Sequence, residues 1–244
     1  MELHVLNVEK QDDAHIQTVL LDLGGPVLNE DREYAAWDDH LLKLLAEDGV
    51  TVARNAYSSA LTEATRACHP QPRVSALWSL MQPDIPRFRR LKDAFRKYTS
   101  RPERHLSTSS VRPGAHEAVR ALAERHTLAL AANQPAGVRE ILRREEILAP
   151  FSWQYVSEDL GVAKPDLLFF QIILDKLGVP AESAVMVGDR VDADVLPAKA
   201  LGLHTVRVLQ GPYAQQVPCT SLHQPDLTVE SIADVPRAVA SLAR

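Results

Sequence analysis

A single acidic residue, Asp22, stands where an apolar, β-branched run ends and two glycines follow. The run 16–21 is typical of a buried strand, and Gly24 and Gly25 are typical of a tight turn after it. Open α/β sheets hold their chemistry at the carboxyl ends of their strands, so Asp22 is the first candidate for a catalytic group. Because an Asp at such a place is often only a turn former, its interpretation depends on other residues.

Further polar residues follow later strands or lie in a loop. Asn133 ends the apolar run 127–132, Lys164 precedes a proline, and Asp189 and Asp194 follow the apolar run 184–187. The carboxyl ends of parallel strands meet at one edge of a sheet, so we expect these side chains near Asp22. An attacking carboxylate, a neutralising Lys and an acidic pair that can bind Mg²⁺ suit phosphoryl transfer.

Alternating strands and helices must position these residues. The pattern predicts helices over 114–125, 136–148, 166–177 and 194–201, and strands over 127–132, 153–157, 184–187 and 204–208. Regular alternation of this kind predicts an α/β fold with a doubly wound, Rossmann-like parallel sheet as its core.

The stretch 29–110 has a different pattern. Amphipathic helices are predicted over 33–47, 52–68 and 88–98, separated by two proline-rich breaks at 69–72 and 83–86, and no strand is evident. We therefore expect an all-helical cap inserted after the first strand, over the carboxyl edge of the sheet. The core is expected to comprise residues 1–28 and 111–244, with 107–110 as a flexible return.

Composition limits the class of function. The chain has 244 residues and a formal charge of −5, with acidic and basic residues interspersed, which disfavours binding to nucleic acid or an anionic membrane. Cys68 and Cys219 are far apart and predict neither a disulfide scaffold nor a zinc site. Residues 1–11 lack the pattern of a signal peptide, and no apolar run reaches membrane-spanning length, so a cytoplasmic protein is expected. Nothing indicates an oligomeric state.

The combination of motifs resembles the haloacid dehalogenase-like hydrolase superfamily. The likeness runs in order through Asp22-Leu-Gly-Gly-Pro-Val-Leu28, the stretch ending at Asn133, Lys164-Pro165, and the stretch from Gly188 to Asp194. The expected insertion is similar to the helical cap of that superfamily, and residues 225–236 are also similar to its tail. The resemblance implies a Mg²⁺-dependent hydrolase, a phosphatase of a small phosphorylated metabolite.

The resemblance also implies roles for individual residues. Asp22 would be the nucleophile that forms an aspartyl-phosphate, and Lys164 would hold that carboxylate and the phosphoryl group together. The implied Mg²⁺ ligands are Asp22, the backbone carbonyl of Gly24, and Asp189, with Asp194 acting through water or as a support. The implied phosphate contacts are Gly25, Asn133 and Lys164.

Two positions depart from the pattern of the superfamily. Its phosphatases usually carry an Asp two residues after the nucleophile for acid/base catalysis, and this chain has Gly24 there. Such catalysis is worth about 10²- to 10⁴-fold, so poor leaving groups are expected to react slowly. Ala132 stands where a Ser or Thr usually contacts the phosphoryl group, which removes a hydrogen bond worth about 1.5–3 kcal/mol. Pro26 is a milder change.

Two other functions stay open at this stage. A 2-haloacid dehalogenase also lacks the second Asp, although the Gly188-Asp189 pair differs from the corresponding motif of those enzymes. A catalytically weak ligand-binding or interaction protein is favoured by Gly24 and Ala132, and disfavoured by the retained Asp22, Lys164 and Asp189.

The predicted cap carries a basic segment, 87–104, whose role the sequence does not indicate. Its basic residues are Arg87, Arg89, Arg90, Lys92, Arg96, Lys97, Arg101 and Arg104. Such runs are commonly solvated helix faces, and the alternative is an anion-attracting rim above the site.

Overall fold

The computed structural model describes residues 15–100 and 109–242. In chain order its elements are β1 (Thr18–Leu21), β2 (Leu28–Asn29), α1 (Asp31–Glu47), α2 (Arg54–Arg66), α3 (Pro72–Met81), α4 (Ile85–Thr99), β3 (Ser110–Val111), α5 (Ala115–Ala123), β4 (Thr127–Leu130), α6 (Val138–Arg144), β5 (Phe151–Trp153), α7 (Ser157–Leu160), α8 (Leu167–Leu177), β6 (Ala184–Gly188), a π-helical turn (Val191–Val195), α9 (Leu196–Ala200), β7 (His204–Val208), β8 (Leu227–Val229) and α10 (Val235–Leu242). Short 3₁₀ turns cover Ala181–Ser183, Ser221–His223 and Ile232–Asp234.

A parallel sheet in the order β5-β4-β1-β6-β7-β8 forms the centre of the fold. Strand β1 lies between β4 and β6, with Leu21 opposite Leu130 and Val187. All four residues of β1 are buried, as expected for a strand covered on both faces. Because the strands are parallel and in register, their carboxyl ends reach the same edge.

Helices cover both faces of the sheet. Val19 and Leu21 point toward the apolar cluster that includes residues of α5, α6 and α10, whereas Leu20 points toward the cluster of α8 and α9. This alternation follows from the two-residue period of a strand. The predicted α/β class and doubly wound parallel sheet are confirmed.

Helices α1–α4 form what we call the helical segment, residues 31–99. Its own apolar cluster includes Leu41, Leu45, Leu77 and Phe95. The segment contacts loops at the carboxyl edge of the sheet: the Arg190 guanidinium donates to the Pro70 carbonyl at 3.0 Å, and the Val217 amide donates to the Arg66 carbonyl at 3.0 Å. The division into a core and an inserted cap at 29–110 stays a prediction.

Two details of the helical segment and its borders differ from expectation. Helix α3 was not predicted, and it begins at Pro72, the last residue of a predicted break. A proline can occupy the first position of a helix because the N–H group there needs no intrahelical partner. Strands β2 and β3 form a short antiparallel pair, with Asn29 opposite Ser110, at the two borders of the predicted cap. Two-residue strands are too short for a periodic pattern, which is why none was expected there.

Two core elements also differ from expectation. The strand predicted over 153–157 lies at Phe151–Trp153. The helix predicted over 194–201 is α9, preceded by the π-helical turn Val191–Val195, in which the Val195 amide donates to the Arg190 carbonyl at 3.2 Å. Hydrophobic periodicity does not distinguish a π turn from an α turn, and π turns are frequent at functional sites.

No helix within the described ranges is long and apolar enough to cross a membrane. The expectations for residues 1–11, for 107–108 in the return to the core, and for Arg101 and Arg104 lie outside the described residues.

Candidate active site

Asp22 lies at the carboxyl end of the central strand. Its amide donates to the Val187 carbonyl at 2.9 Å, which extends the pairing of β1 with β6 by one residue. Its Oδ1 accepts a hydrogen bond from the Leu23 amide at 2.8 Å and lies 3.0 Å from the ammonium of Lys164. Asp22 is only 7% exposed, so the carboxylate faces an enclosed site rather than open solvent.

Lys164 is buried, and both its ammonium group and its backbone have hydrogen-bonding partners. Its ammonium contacts Asp194 Oδ1 at 2.5 Å as well as Asp22. Its backbone is clamped by Asn133, whose Nδ2 donates to the Lys164 carbonyl and whose Oδ1 accepts from the Lys164 amide, both at 2.8 Å. Asn133 also lines the cavity next to Asp22. Its amide group is committed to positioning Lys164, and a phosphate contact by Asn133 stays a prediction.

Asp22, Asp189 and Asp194 form an acidic cluster in which one carboxylate oxygen of each residue lies within 4.8 Å of the other two. Asp194 is tied down, since its Oδ2 accepts from the Arg190 amide at 2.9 Å. Asp189 is 1% exposed, and neither of its oxygens has a hydrogen-bond partner within the described part of the chain. A buried carboxylate without a donor is costly, so this donor set fits a cation with oxygen ligands.

The electrostatics of the cluster agree with that assignment. Burial raises the pKa of Asp22 to about 7, against the opposing effect of the Lys164 ammonium. Burial, together with the charges of Asp22 and Asp194, raises the pKa of Asp189 well above its usual value. Burial lowers the pKa of Lys164, but the two carboxylates outweigh it and the net shift is upward. The cluster has three carboxyl groups and one ammonium group, that of Lys164. A bound cation would therefore balance negative charge that Lys164 alone does not.

Two glycines allow the carboxylates to approach the backbone. Gly25 has a φ of +92°, and a Cβ built on it would overlap the Asp189 carboxylate. A Cβ on Gly188 would overlap the carboxylate of Asp194. Gly25 thus lies against Asp189, and its carbonyl accepts from the Arg112 guanidinium. Its predicted phosphate contact stays a prediction.

A cavity of about 70 Å³ opens beside Asp22. Its lining includes the predicted residues Gly24, Asn133, Lys164 and Asp189, and also Glu30, Tyr34, Gln134, Arg190, Ala193 and Tyr213. Glu30 was not singled out from the sequence, because an acidic residue before a helix is a common surface feature. Tyr34, from the first turn of α1, lines this cavity as well.

A salt bridge between Arg190 and Asp192 lies beside the site. Arg190 contacts the Asp192 carboxylate at 2.5 Å and lies over the Tyr213 ring at 4.2 Å. Asp192 lies at the start of the π-helical turn, is buried, and also accepts a hydrogen bond from Gln216 Nε2 at 2.6 Å. The pair therefore connects the loop after β6 to the loop after β7.

The basic segment has two kinds of residue. Arg87 and Arg90 form ion pairs with Asp48 at 2.8 and 2.6 Å. Lys92 and Arg96 line a second cavity of about 340 Å³, together with aromatic residues that include Trp37 and Tyr213. Tyr213 lines both cavities.

Known proteins resemble this chain in part of the sequence and in the whole fold. Residues 161–235 match the family of HAD-hydrolase-like proteins. The glyceraldehyde 3-phosphate phosphatase of Methanocaldococcus jannaschii is 41% identical over 88 residues, which is 36% of this chain and 37% of that enzyme. The phosphoglycolate phosphatase of Rhodospirillum rubrum is 37% identical over 108 residues, 43% of this chain and 44% of that enzyme. The chain spans less than half the length of these curated relatives.

A solved structure extends the likeness to the complete fold. The HAD phosphatase of Thermococcus onnurineus superposes with a TM-score of 0.59 at 20% identity, over 91% of this chain and 97% of that one. At this identity the likeness concerns the fold.

Replacing Asp189 by Asn tests the acidic cluster. We expect Mg²⁺ to raise the melting temperature of the native protein; at a hundred-fold excess over Kd the linkage is about 2.7 kcal/mol, or about 5–10 °C for a chain of this size. Asp189→Asn should lose the Mg²⁺ gain, because a neutral amide replaces a carboxylate that would bind the ion. The exposed Asp175→Asn is the control for both measurements. An unchanged melting temperature of the native protein at millimolar Mg²⁺ would contradict the assignment.

Replacing Gly25 by Ala tests the close approach to Asp189. Gly49 is a matched control, since its φ is +80° but a Cβ there meets nothing within 4 Å. Gly49→Ala should cost about 1–2 kcal/mol for the left-handed backbone alone. Gly25→Ala should cost about 1–3 kcal/mol more, because of the overlap with the carboxylate, and should weaken Mg²⁺ binding. If urea unfolding shows that Gly25→Ala and Gly49→Ala lose the same free energy of unfolding, the contact between Gly25 and Asp189 is not tight.

Proposed function

Because the chain belongs to the haloacid dehalogenase-like superfamily of hydrolases, we propose that it is a Mg²⁺-dependent phosphatase of small phosphorylated metabolites. The observation that carries the proposal is the placement of Asp22 beside Lys164, within an acidic cluster that includes the unpaired Asp189. The phosphatase names of the curated relatives support the same class of activity. The expected setting is the cytoplasm.

Asp22 and Asp189 would hold the Mg²⁺, with the Gly24 carbonyl as a further oxygen ligand and Asp194 acting through water or as a support. Bound there, the ion would neutralise charge on the phosphoryl group. Oxygen donors of this kind are what Mg²⁺ prefers, and it commonly keeps several waters.

The chain's own residues supply the nucleophile and its support. A carboxylate oxygen of Asp22 attacks phosphorus, forming an aspartyl-phosphate as the bond to the leaving oxygen breaks. The Lys164 ammonium keeps the Asp22 carboxylate in place and offsets charge on the phosphoryl oxygens. Asn133 fixes the backbone of Lys164 through its side-chain amide, and its contact with the phosphoryl group stays a prediction.

The second cavity, which Lys92 and Arg96 help to line, suits the rest of the substrate. It is larger than the catalytic cavity, shares Tyr213 with it, and its lining includes Lys92, Arg96 and the aromatic residue Trp37. This lining favours a substrate with a second polar or anionic group.

The two competing functions fit the site less well. A dehalogenase needs only one carboxylate to displace halide. That function would not explain why Asp189 is buried without a hydrogen-bond partner among the described residues. A binding module has no need of a buried nucleophile held against a buried Lys. Both alternatives predict an absence of Mg²⁺-dependent phosphatase activity.

Replacing Asp22 by Asn tests the nucleophile. We expect phosphate release from a panel of phosphorylated metabolites in the presence of Mg²⁺, lost on chelation and reduced by at least about 10³-fold in Asp22→Asn, because an amide is a poor nucleophile. Asp175→Asn should retain the native rate. Full activity in Asp22→Asn, or no phosphate release from any substrate by the native protein, would contradict the proposal.

A further inference from the structure

A buried carboxyl group fills the space beside Gly24. A Cβ built on Gly24 would overlap Glu30 Oε2 and lie 3.2 Å from the Glu30 carboxyl carbon. Gly24 is the position, two residues after Asp22, where the resemblance leads one to expect an acid/base Asp. The Glu30 carboxyl group therefore occupies the volume that a side chain at position 24 would occupy.

Glu30 is held in that place by partners on both sides. It is 2% exposed; its Oε1 accepts from Gln134 Nε2 at 2.8 Å, and its Oε2 accepts from the Tyr34 hydroxyl at 3.3 Å. Burial raises the pKa of Tyr34 well above its usual value, so its hydroxyl keeps the proton that it donates. Glu30 lines the same cavity as Asp22 and Lys164.

We propose that Glu30 is the proton-transferring catalytic residue of this site. The carboxyl group reaches the site from the residue preceding α1, instead of from the loop after β1. This inference rests on the proposed phosphatase function and adds a residue to it. It accounts for the absence of a side chain at Gly24, since the two groups would compete for one volume.

Glu30 would donate a proton when the aspartyl-phosphate forms and accept a proton when it is hydrolysed. In the first, Asp22 forms a bond to phosphorus, the bond from phosphorus to the alcohol oxygen breaks, and the Glu30 carboxylic acid protonates that oxygen. In the second, water attacks phosphorus and gives its proton to the Glu30 carboxylate. The bond to Asp22 then breaks, which releases phosphate and restores both residues.

Substrates with different leaving groups test the first step. Glu30→Gln keeps the size of the side chain but carries no transferable acid proton. With an alkyl phosphate such as glycerol 3-phosphate, kcat/KM should fall about 10²- to 10⁴-fold, because an alkoxide needs a proton to leave. With p-nitrophenyl phosphate, whose leaving group needs none, kcat/KM should change less than about 10-fold. Asp31→Asn is the matched control, since its exposed side chain follows Glu30 directly, and both values should stay native.

Rapid mixing tests the second step on the same variant. With p-nitrophenyl phosphate, Glu30→Gln should give a burst of p-nitrophenol followed by slow turnover, because water attack is no longer assisted. Native protein should show a smaller burst and faster turnover.

Moving the carboxylate from position 30 to position 24 tests whether Glu30 transfers a proton or only stabilises the fold. Gly24→Asp alone should destabilise the protein, since its side chain overlaps Glu30. Gly24→Asp combined with Glu30→Ala should hydrolyse the alkyl phosphate faster than Glu30→Ala does. Equal losses for both substrates in Glu30→Gln, or no loss for either, would overturn the role of Glu30 while leaving the phosphatase function in place. A native protein that hydrolyses neither substrate would overturn both.

Discussion

Like-charge repulsion among buried carboxylates is the constraint on which the site depends. Asp22, Asp189 and Asp194 converge within 4.8 Å, and the Lys164 ammonium contacts two of them. Asp189 keeps no hydrogen-bond partner among the described residues. Such an arrangement is unfavourable for folding and is retained where a cation or a reaction uses the charge.

The surrounding backbone is built to maintain that convergence. Parallel pairing of β1 with β6 brings Asp22 level with the start of the loop that carries Asp189. Gly188 leaves room for Asp194, and the π-helical turn returns its carboxylate to the Arg190 amide and to Lys164. Each acidic group is thus positioned by main-chain geometry at the carboxyl edge of the sheet.

The sequence was sufficient for the parts of the site that follow from strand topology. Asp22, Asp189 and Lys164 follow strands or stand in a loop next to a proline, and the parallel sheet brings them together. Glu30 could not be found in this way, because it stands on no strand and belongs to no motif. Its proximity to Gly24 is set by how α1 begins above the sheet. Helix α3 and the π-helical turn were missed because apolar spacing alone specifies neither.

The structure changes the interpretation of Gly24, two residues after Asp22. In the sequence, Gly24 signals a missing acid/base residue and a weaker enzyme. In the fold, a carboxyl group from another element fills the same volume. Loss of a side chain from a motif therefore does not imply loss of the chemistry, since function depends on the groups present in the site.

The most direct test of the account is the mass of the peptide that contains Asp22 after turnover. Native protein mixed with Mg²⁺ and p-nitrophenyl phosphate, quenched in acid within milliseconds and digested, should carry one phosphoryl group on that peptide. The group should be removable by hydroxylamine, as expected for an acyl phosphate, and absent in Asp22→Asn. Phosphate release without any modified peptide, or a phosphoryl group on another residue, would contradict a mechanism centred on Asp22.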